Sequence, residues 1–336
     1  MIGNCVSDAW AQLVEERRQL TASAFAPGTM KNYEGHWARF FAFCDEFGLP
    51  NRLPVSASVL ASYVAWLCRS VRSQGTVRNY VNGLKVLHSI QDLDVSSFSD
   101  SVVRLTLRGV DRNLRFTPRR AQPITPEILV RMVENLSQDS PTDATIKALF
   151  LLSFFLFLRK SNSVPDSVSA FDPTKQLVRG DCRRMGDYLF VFSKWSKTNQ
   201  FGRRSRGVPL LPLPGSILCP VAAYENMCRL SPGVDTDPAF FFKTKGVVTP
   251  VTYAVFQRRL KASVKAIGLD PSLFSSHSFR RGGACLAFKA GIAGETIKVL
   301  GDWQSEAYQV YLECPFEMKT AASDLFRKAV LERIGS

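Results

Sequence analysis

Hydrophobic residues recur at three- and four-residue steps through the first third of the chain, which is the pattern of amphipathic helices. A first helix is predicted from the capping residue Thr29 to Phe47, ahead of the helix-ending Gly48 and Pro50. Further helices are predicted over 56–69, from about residue 76, and over 100–114. Short helices with short connections predict a small helical bundle.

A proline-rich stretch without periodicity follows this bundle. We therefore expect a linker over 119–125, between a first domain over 1–118 and a second over 126–336. The second domain is predicted to open with a helix over 126–136, followed by a strongly apolar, buried helix that ends at Arg159.

Short runs of β-branched and aromatic residues separated by turn residues come next. They predict strands at Leu177–Arg179, Tyr188–Phe192 and Val208–Leu211, and from Pro220 onward the pattern is helical again. The predicted fold class is mainly α with a small three-stranded antiparallel sheet, in two domains.

The 336-residue chain carries a formal net charge of +14, which favours a polyanionic partner: DNA, RNA or an acidic membrane. Its eight cysteines show no C-x-x-C spacing and it has only three histidines, so no metal site is predicted. An RNA-binding module is the weakest option, because no RNP-like aromatic strand is visible. The N-terminus has no secretory pattern and the longest apolar run is too short for a bilayer, so we expect an intracellular protein without a membrane partner.

Arg104, Arg108 and Arg112 share one helix face, and Arg119 and Arg120 extend the positive run. A solvated helix face explains most such runs. A row of phosphates is the alternative, because the three arginines have no acidic partners at helical spacing.

Two further motifs contain arginines suited to phosphate chemistry. Arg159 lies in LFLRKSN, where it could simply complement the dipole at a helix end. His277 and Arg280 in HSFRRGGA share a face if a helix begins at Ser276, whereas Arg281 is expected to face outward. The glycine pair after them would allow close approach of a helix or of a nucleic acid backbone.

Aromatic and basic residues complete the candidate set. Trp303 follows a predicted Gly301-Asp302 turn, and Tyr308 and Tyr311 lie three apart, a spacing that is also typical of a buried helix face. In the turn after the second predicted strand lie basic residues that could equally form an exposed hairpin tip: Lys194, Lys197, Arg203 and Arg204.

The order of these elements resembles the tyrosine recombinase superfamily, which includes phage integrases, Cre and the Xer proteins. That order is an arginine, a hairpin lysine, H-x-x-R, a glycine followed closely by tryptophan, and a tyrosine. HSFRRGGA and LGDWQSEAYQVYLE, with LRKSN and WSKTNQ, are most similar to recombinases of DIRS-like and Ngaro retrotransposons and Crypton transposons. The resemblance implies a helical core-binding domain followed by a catalytic domain.

The resemblance also implies the chemistry. Arg159 and Arg280 would clamp the nonbridging oxygens of a DNA phosphate, because guanidinium groups bind such oxygens bidentately. Tyr311 would attack the phosphorus and form a 3′-phosphotyrosine, and Lys197 would protonate the departing 5′ oxygen. No metal, ATP or other cofactor would be required. The implied catalytic residues are Arg159, Lys197, His277, Arg280, Trp303 and Tyr311.

The expected partner is double-stranded DNA, bound by a dimer or tetramer that forms through an amphipathic C-terminal helix over 317–336. The expected location is the nucleus in a eukaryote, and otherwise the cytoplasm or nucleoid. The candidate DNA-binding residues are Arg104, Arg108, Arg112, Arg119, Arg120, Arg203 and Arg204.

Three positions depart from the family pattern or blur it. Asn162 stands where relatives often have an acidic residue, and Asp302 where many have histidine, so Trp303 is assigned as the hydrogen-bond donor. Tyr308 competes with Tyr311 as nucleophile. A DNA-binding derivative without catalysis and a type IB topoisomerase-like enzyme are the alternative functions.

Overall fold

The computed structural model describes residues 2–114, 116, 120–195, 206–303, 309 and 316–334. The chain divides into two compact units, Met1–Arg119 and Arg120–Ser336. Helices dominate both units, and the strands of the described residues form small antiparallel sheets in the second. The predicted fold class is confirmed.

Three helices of the first unit begin where short polar side chains cap them. The helix predicted to start at Thr29 instead begins at Pro27 after Ala26, which makes no side-chain cap, so the predicted cap at Thr29 is wrong. Ser56, Ser73 and Asp100 each accept a hydrogen bond from a backbone N–H of the following turn. Their apolar faces meet in a core that includes the fully buried Tyr63 and Phe40. The described helices are α1 (Ile2–Ser23), α2 (Pro27–Glu46), α3 (Ala57–Leu67), α4 (Gln74–Ile90) and α5 (Ser101–Asn113).

Four of these helices were predicted, with ends displaced by a few residues, and α1 was not. The large apolar residues of α1 do not bury a stripe: Trp10 is 66% exposed and Leu20 is 73% exposed. A helix is recognised in the sequence by an apolar stripe that faces a core. Because α1 has no such stripe, the sequence pattern gave no signal for it.

The two histidines of the first unit are part of its core. His88 is fully buried, and its Nε2 accepts a hydrogen bond from the Val55 N–H at 3.0 Å. His36 is also buried and lies against Gly83, where a Cβ would overlap the imidazole ring. Burial lowers the pKa of both rings. His277 is therefore the histidine outside this core.

The second unit is built around α7, whose residues 148–152 are completely buried. Helices α9 and α11 pack against it. Within the described part of the chain, no helix combines the length and the apolar character needed to cross a membrane. The helices are α6 (Pro126–Glu134), α7 (Pro141–Phe155), α8 (Lys160–Ser163), α9 (Pro220–Leu230), α10 (Tyr253–Ala266), α11 (His277–Lys289), α12 (Gly294–Gly301) and α13 (Phe316–Ile334).

The three-stranded sheet has the order β1-β2-β3, with both pairs antiparallel. Its strands are β1 (Cys182–Met185), β2 (Tyr188–Ser193) and β3 (Arg206–Leu210). The predicted first strand, Leu177–Arg179, is wrong. Val178 forms only an isolated bridge with Pro238, and Arg179–Asp181 is a single 3-10 turn in which the Asp181 carboxylate accepts from the Val178 N–H.

A second hairpin was missed because its segment was expected to be helical. It consists of β4 (Phe241–Thr244) and β5 (Val247–Pro250). Lys245 and Gly246 join the strands, both with positive φ, at 49° and 83°. The glycine tolerates this conformation without strain and is the local signal for the turn.

Part of the predicted linker is bonded into the second unit. The Gln122 N–H donates to the Leu273 carbonyl at 2.7 Å, and the Ile124 N–H donates to the Ser278 carbonyl at 3.0 Å. Arg119 lies outside the described residues. The domain boundary within 119–125 stays a prediction.

Candidate active site

Arg159 follows a sharp bend at the end of α7. The helix ends at Phe155, so the prediction that it continues to Arg159 is wrong. Phe157 turns the chain with φ 50°, a left-handed conformation that costs a bulky residue roughly 1–2 kcal/mol. Arg159 is then extended and precedes the short helix α8. The bend therefore separates Arg159 from the axis of the buried helix.

Arg280, on the first turn of α11, bonds to the segments that follow α7 and that end α12. The residue is 2% exposed. Its Nη1 donates to the Phe157 carbonyl, and its Nη2 donates to the Gly301 carbonyl at 2.8 Å. Its Cζ also lies 3.6 Å from the centre of the Trp303 ring. One buried cation thus holds the bend after α7 against the end of α12.

Arg159 binds Asp302, the residue that follows Gly301. Its Nη2 donates to the Asp302 carbonyl at 2.7 Å, and its Nη1 lies 3.2 Å from the Asp302 Oδ2. Arg159 and Arg280 therefore meet at the consecutive carbonyl groups of Gly301 and Asp302. Two guanidinium groups from distant parts of the sequence share one small region.

His277 begins α11, as predicted, although the Ser276 side chain makes no capping hydrogen bond. The residue is exposed, yet the protein around its ring desolvates the imidazole, and this lowers the imidazole pKa. The charges of Arg280, Arg159 and Lys160 lower that pKa further. The ring is neutral at pH 7, where it can donate one hydrogen bond.

We expect the His277 imidazole to titrate below the ordinary histidine pKa of 6.5. Histidine Cε1–H signals followed by NMR across pH 5–8 measure this directly, and the His277→Asn protein assigns the signal. The signals of His36 and His88 provide comparisons from the buried core. A His277 pKa at or above the ordinary value would show that burial and the nearby arginine charges do not act on the ring as the structure indicates.

Trp303 packs its ring on the Arg280 guanidinium and is 8% exposed. Asp302 reverses the chain in the left-handed conformation, with φ 53° and ψ 51°. A Cβ on Gly301 would overlap the Trp303 ring, so glycine is needed there. The turn expected before Trp303 is present, and the role of its indole N–H as a donor to phosphate stays a prediction.

The residue after Arg280 and the glycine pair that follows it serve packing. Arg281 was expected to face outward, but it is 8% exposed and its Nη1 donates to the Ala121 carbonyl at 2.9 Å. A Cβ on Gly282 would overlap the Ile124 carbonyl, and one on Gly283 would overlap the Phe154 carbonyl. The close approach that the pair allows is therefore to protein backbone.

Asn162 and Asp181 hold the base of the β2–β3 hairpin, a role that the sequence did not reveal. The buried Asn162 Nδ2 donates to the Trp195 carbonyl, a contact that a carboxylate could not make. The Asp181 carboxylate, 5% exposed, pairs with Lys194 at 2.6 Å. Lys194 is thus engaged by this ion pair, and Lys197 lies outside the described residues.

The basic row on α5 is exposed, as a binding face requires. Arg104, Arg108 and Arg112 all face solvent. Asp111, the acidic residue within this run, pairs with Arg78 on α4. Arg120 is also exposed. The candidate residues that lie outside the described part of the chain are Arg119, Lys197, Arg203, Arg204, Tyr308 and Tyr311.

The chain is similar to several known recombinases in sequence or in fold. No protein-family profile matches the sequence. An "Integrase/recombinase xerD homolog" of Selenomonas ruminantium is 24% identical over 297 residues, which cover 84% of this chain and 80% of that protein.

Several solved structures share the fold. The XerH site-specific recombinase bound to difH substrate superposes with a TM-score of 0.57 at 14% identity, covering 87% of this chain and 77% of XerH. The Tn1549 transposon integrase with circular intermediate DNA gives 0.56 at 16% identity, covering 91% and 98%. A lambda integrase dimer on a core site gives 0.53 at 15% identity, covering 90% and 95%. The fold is that of these recombinases.

Proposed function

We propose that the chain, a member of the tyrosine recombinase/integrase superfamily, is an active site-specific recombinase that cleaves and rejoins DNA through a covalent protein–DNA intermediate. One observation carries this proposal: Arg159 and Arg280 converge on the consecutive carbonyls of Gly301 and Asp302, with His277 in their electrostatic field. This concentration of positive charge suits a single phosphodiester.

The described residues would act on the phosphate. During attack at phosphorus, negative charge accumulates on the nonbridging oxygens, and preorganised cationic donors stabilise that charge by a few kcal/mol each. Arg159 and Arg280 would supply these donors, and neutral His277 would add a hydrogen bond. Trp303 holds the Arg280 guanidinium by its ring and would donate through its indole N–H.

Tyr311 and Lys197 would carry the bond changes. The Tyr311 phenol loses its proton to water and its oxygen bonds to phosphorus as the bond from phosphorus to the 5′ oxygen breaks, and Lys197 gives that 5′ oxygen a proton. The product is a 3′-phosphotyrosine and a free 5′-hydroxyl. A 5′-hydroxyl from another strand reverses the step and releases Tyr311. The phosphotyrosine retains the energy of the phosphodiester, so ATP is not needed.

Covalent capture of DNA tests the function. Duplexes from the sequences that flank the gene, nicked near the expected cleavage point so that the short fragment with the new 5′-hydroxyl diffuses away, should give an SDS-stable adduct. The adduct should form equally well in EDTA. No adduct on any duplex, despite DNA binding, would favour a non-catalytic derivative. Relaxation of supercoiled plasmid without a partner site would favour a topoisomerase.

We propose that the exposed arginines of α5 and Arg120 bind the DNA backbone, with Arg119, Arg203 and Arg204 extending the same contacts. Each phosphate that such a residue neutralises releases condensed counterions. DNA affinity should therefore fall steeply as salt is raised.

We also propose assembly of dimers or tetramers on DNA through α13. Its apolar side chains support this, because Leu325 is 68% exposed and Phe326 is 73% exposed. A role in integration or excision of a mobile element, with affinity to the DIRS-like, Ngaro or Crypton group, is proposed from the motifs HSFRRGGA and LGDW. The proposed location is the nucleus in a eukaryotic host, and the cytoplasm or nucleoid otherwise.

A further inference from the structure

The Asp302 carboxylate sits where an oxyanion would bind Arg159. Its Oδ2 lies 3.2 Å from Nη1 of Arg159, and the two side chains are only 19% and 17% exposed. A carboxylate presents two oxygens that share one negative charge, as the nonbridging oxygens of a phosphodiester do, and a guanidinium binds both groups with the same geometry. The residue thus offers Arg159 an internal substitute for phosphate.

Backbone contacts hold this carboxylate in place independently of its charge. Asp302 is left-handed, and its N–H donates to the Val299 carbonyl at 3.1 Å. Its own carbonyl accepts from Arg159 at 2.7 Å, and the preceding carbonyl, of Gly301, accepts from Arg280 at 2.8 Å. Arg159 would therefore keep its hydrogen bond to the Asp302 carbonyl even if its ion pair with the Asp302 carboxylate broke.

We propose that Asp302 competes with DNA phosphate for Arg159: its carboxylate holds the guanidinium in the DNA-free protein and yields it to the scissile phosphate when DNA binds. This inference rests on the proposed function, which supplies the phosphate. Two anions on one partly buried guanidinium repel each other, and the surrounding protein screens this repulsion less than bulk water does. The carboxylate and the phosphate therefore exclude each other, and Asp302 lowers the affinity of the site for anions.

The Asp302→Asn variant removes the charge and preserves the turn. Asparagine has nearly the same size, and it adopts the left-handed conformation more readily than most residues. The Asp302 carbonyl contact to Arg159 belongs to the backbone and stays. A matched control is Asp92→Asn, which removes the same charge from another left-handed aspartate, with φ 60°, in an exposed pair with Arg17 of the first unit, where Asp92 is 60% exposed.

Inorganic phosphate is the probe, and the Cε1–H signal of His277 in the full chain is the readout, at pH 7 and constant ionic strength. We expect Asp302→Asn to bind phosphate roughly three- to tenfold more tightly than the wild type, as loss of a partly screened repulsion implies. Asp92→Asn should match the wild type. Unchanged or weaker binding by Asp302→Asn would overturn the proposal and make the carboxylate a positioning group for Arg159. A His277 signal that phosphate shifts in neither protein would also overturn the proposal.

Covalent capture of DNA by the wild-type protein separates this inference from the proposed function. An adduct together with no gain in phosphate affinity for Asp302→Asn would refute the competition alone. A gain in affinity without any adduct would support the competition and refute the recombinase function.

Discussion

The Tyr311→Phe protein is expected to bind DNA almost normally and to form no covalent adduct with it. The substitution removes only the phenol oxygen, which is the atom proposed to attack phosphorus. Loss of a nucleophile typically lowers the rate by at least about 10³-fold, so no adduct should be visible on a denaturing gel. Gel shifts at matched salt measure the binding that remains.

Tyr308→Phe is the matched control, because it makes the same change three residues earlier. It should form adduct at close to the wild-type rate. The opposite pattern, with adduct lost only in Tyr308→Phe, would move the nucleophile to Tyr308 and leave the rest of the site assignment in place. Adduct formed by both single variants would mean that neither Tyr308 nor Tyr311 alone is required as the nucleophile.

Arg280→Lys is expected to lower the rate of adduct formation by about 10²–10³-fold, as loss of a preorganised donor to a charged transition state does. The guanidinium reaches the Phe157 and Gly301 carbonyls and stacks on Trp303 at the same time. A lysine ammonium is a point charge and cannot make these three contacts together. The buried carbonyls left without a donor should also cost about 2–4 kcal/mol of unfolding free energy.

The next residue provides the control for this loss of stability. Arg281 is buried on the same helix and donates to the Ala121 carbonyl. Arg281→Lys should lose stability in urea unfolding, and at a temperature where both variants are folded it should retain far more single-turnover activity than Arg280→Lys. Equal loss of activity in both would mean that Arg280 acts only through folding.

The helices of the first unit were predictable because two local signals coincide. Apolar residues at helical spacing run along these helices, and Ser56 and Asp100, at the predicted starts of two of them, accept capping hydrogen bonds from the backbone. Helix α1 escaped prediction because its face is exposed, as Trp10 illustrates. The first strand was misplaced because the buried run at Leu177 forms a bridge and a turn before the strand begins.

The site could be predicted as a set of residue types and not as a set of contacts. The H-x-x-R spacing correctly places His277 and Arg280 on one turn of α11. Arg281 points inward because a backbone carbonyl at Ala121, far away in sequence, accepts its hydrogen bond. The partnership of Arg159 with Asp302 depends on the left-handed bend at Phe157 and on the end of α12. Contacts of this kind arise from tertiary packing, which the spacing of hydrophobic residues along the sequence does not predict.

The most direct test of the account is to identify the amino acid that becomes joined to DNA. The adduct is trapped on a nicked duplex, digested with nuclease and protease, and sequenced by mass spectrometry. The account predicts a nucleotide attached through its 3′-phosphate to Tyr311. A nucleotide on another residue, or one attached through a 5′-phosphate, would contradict it.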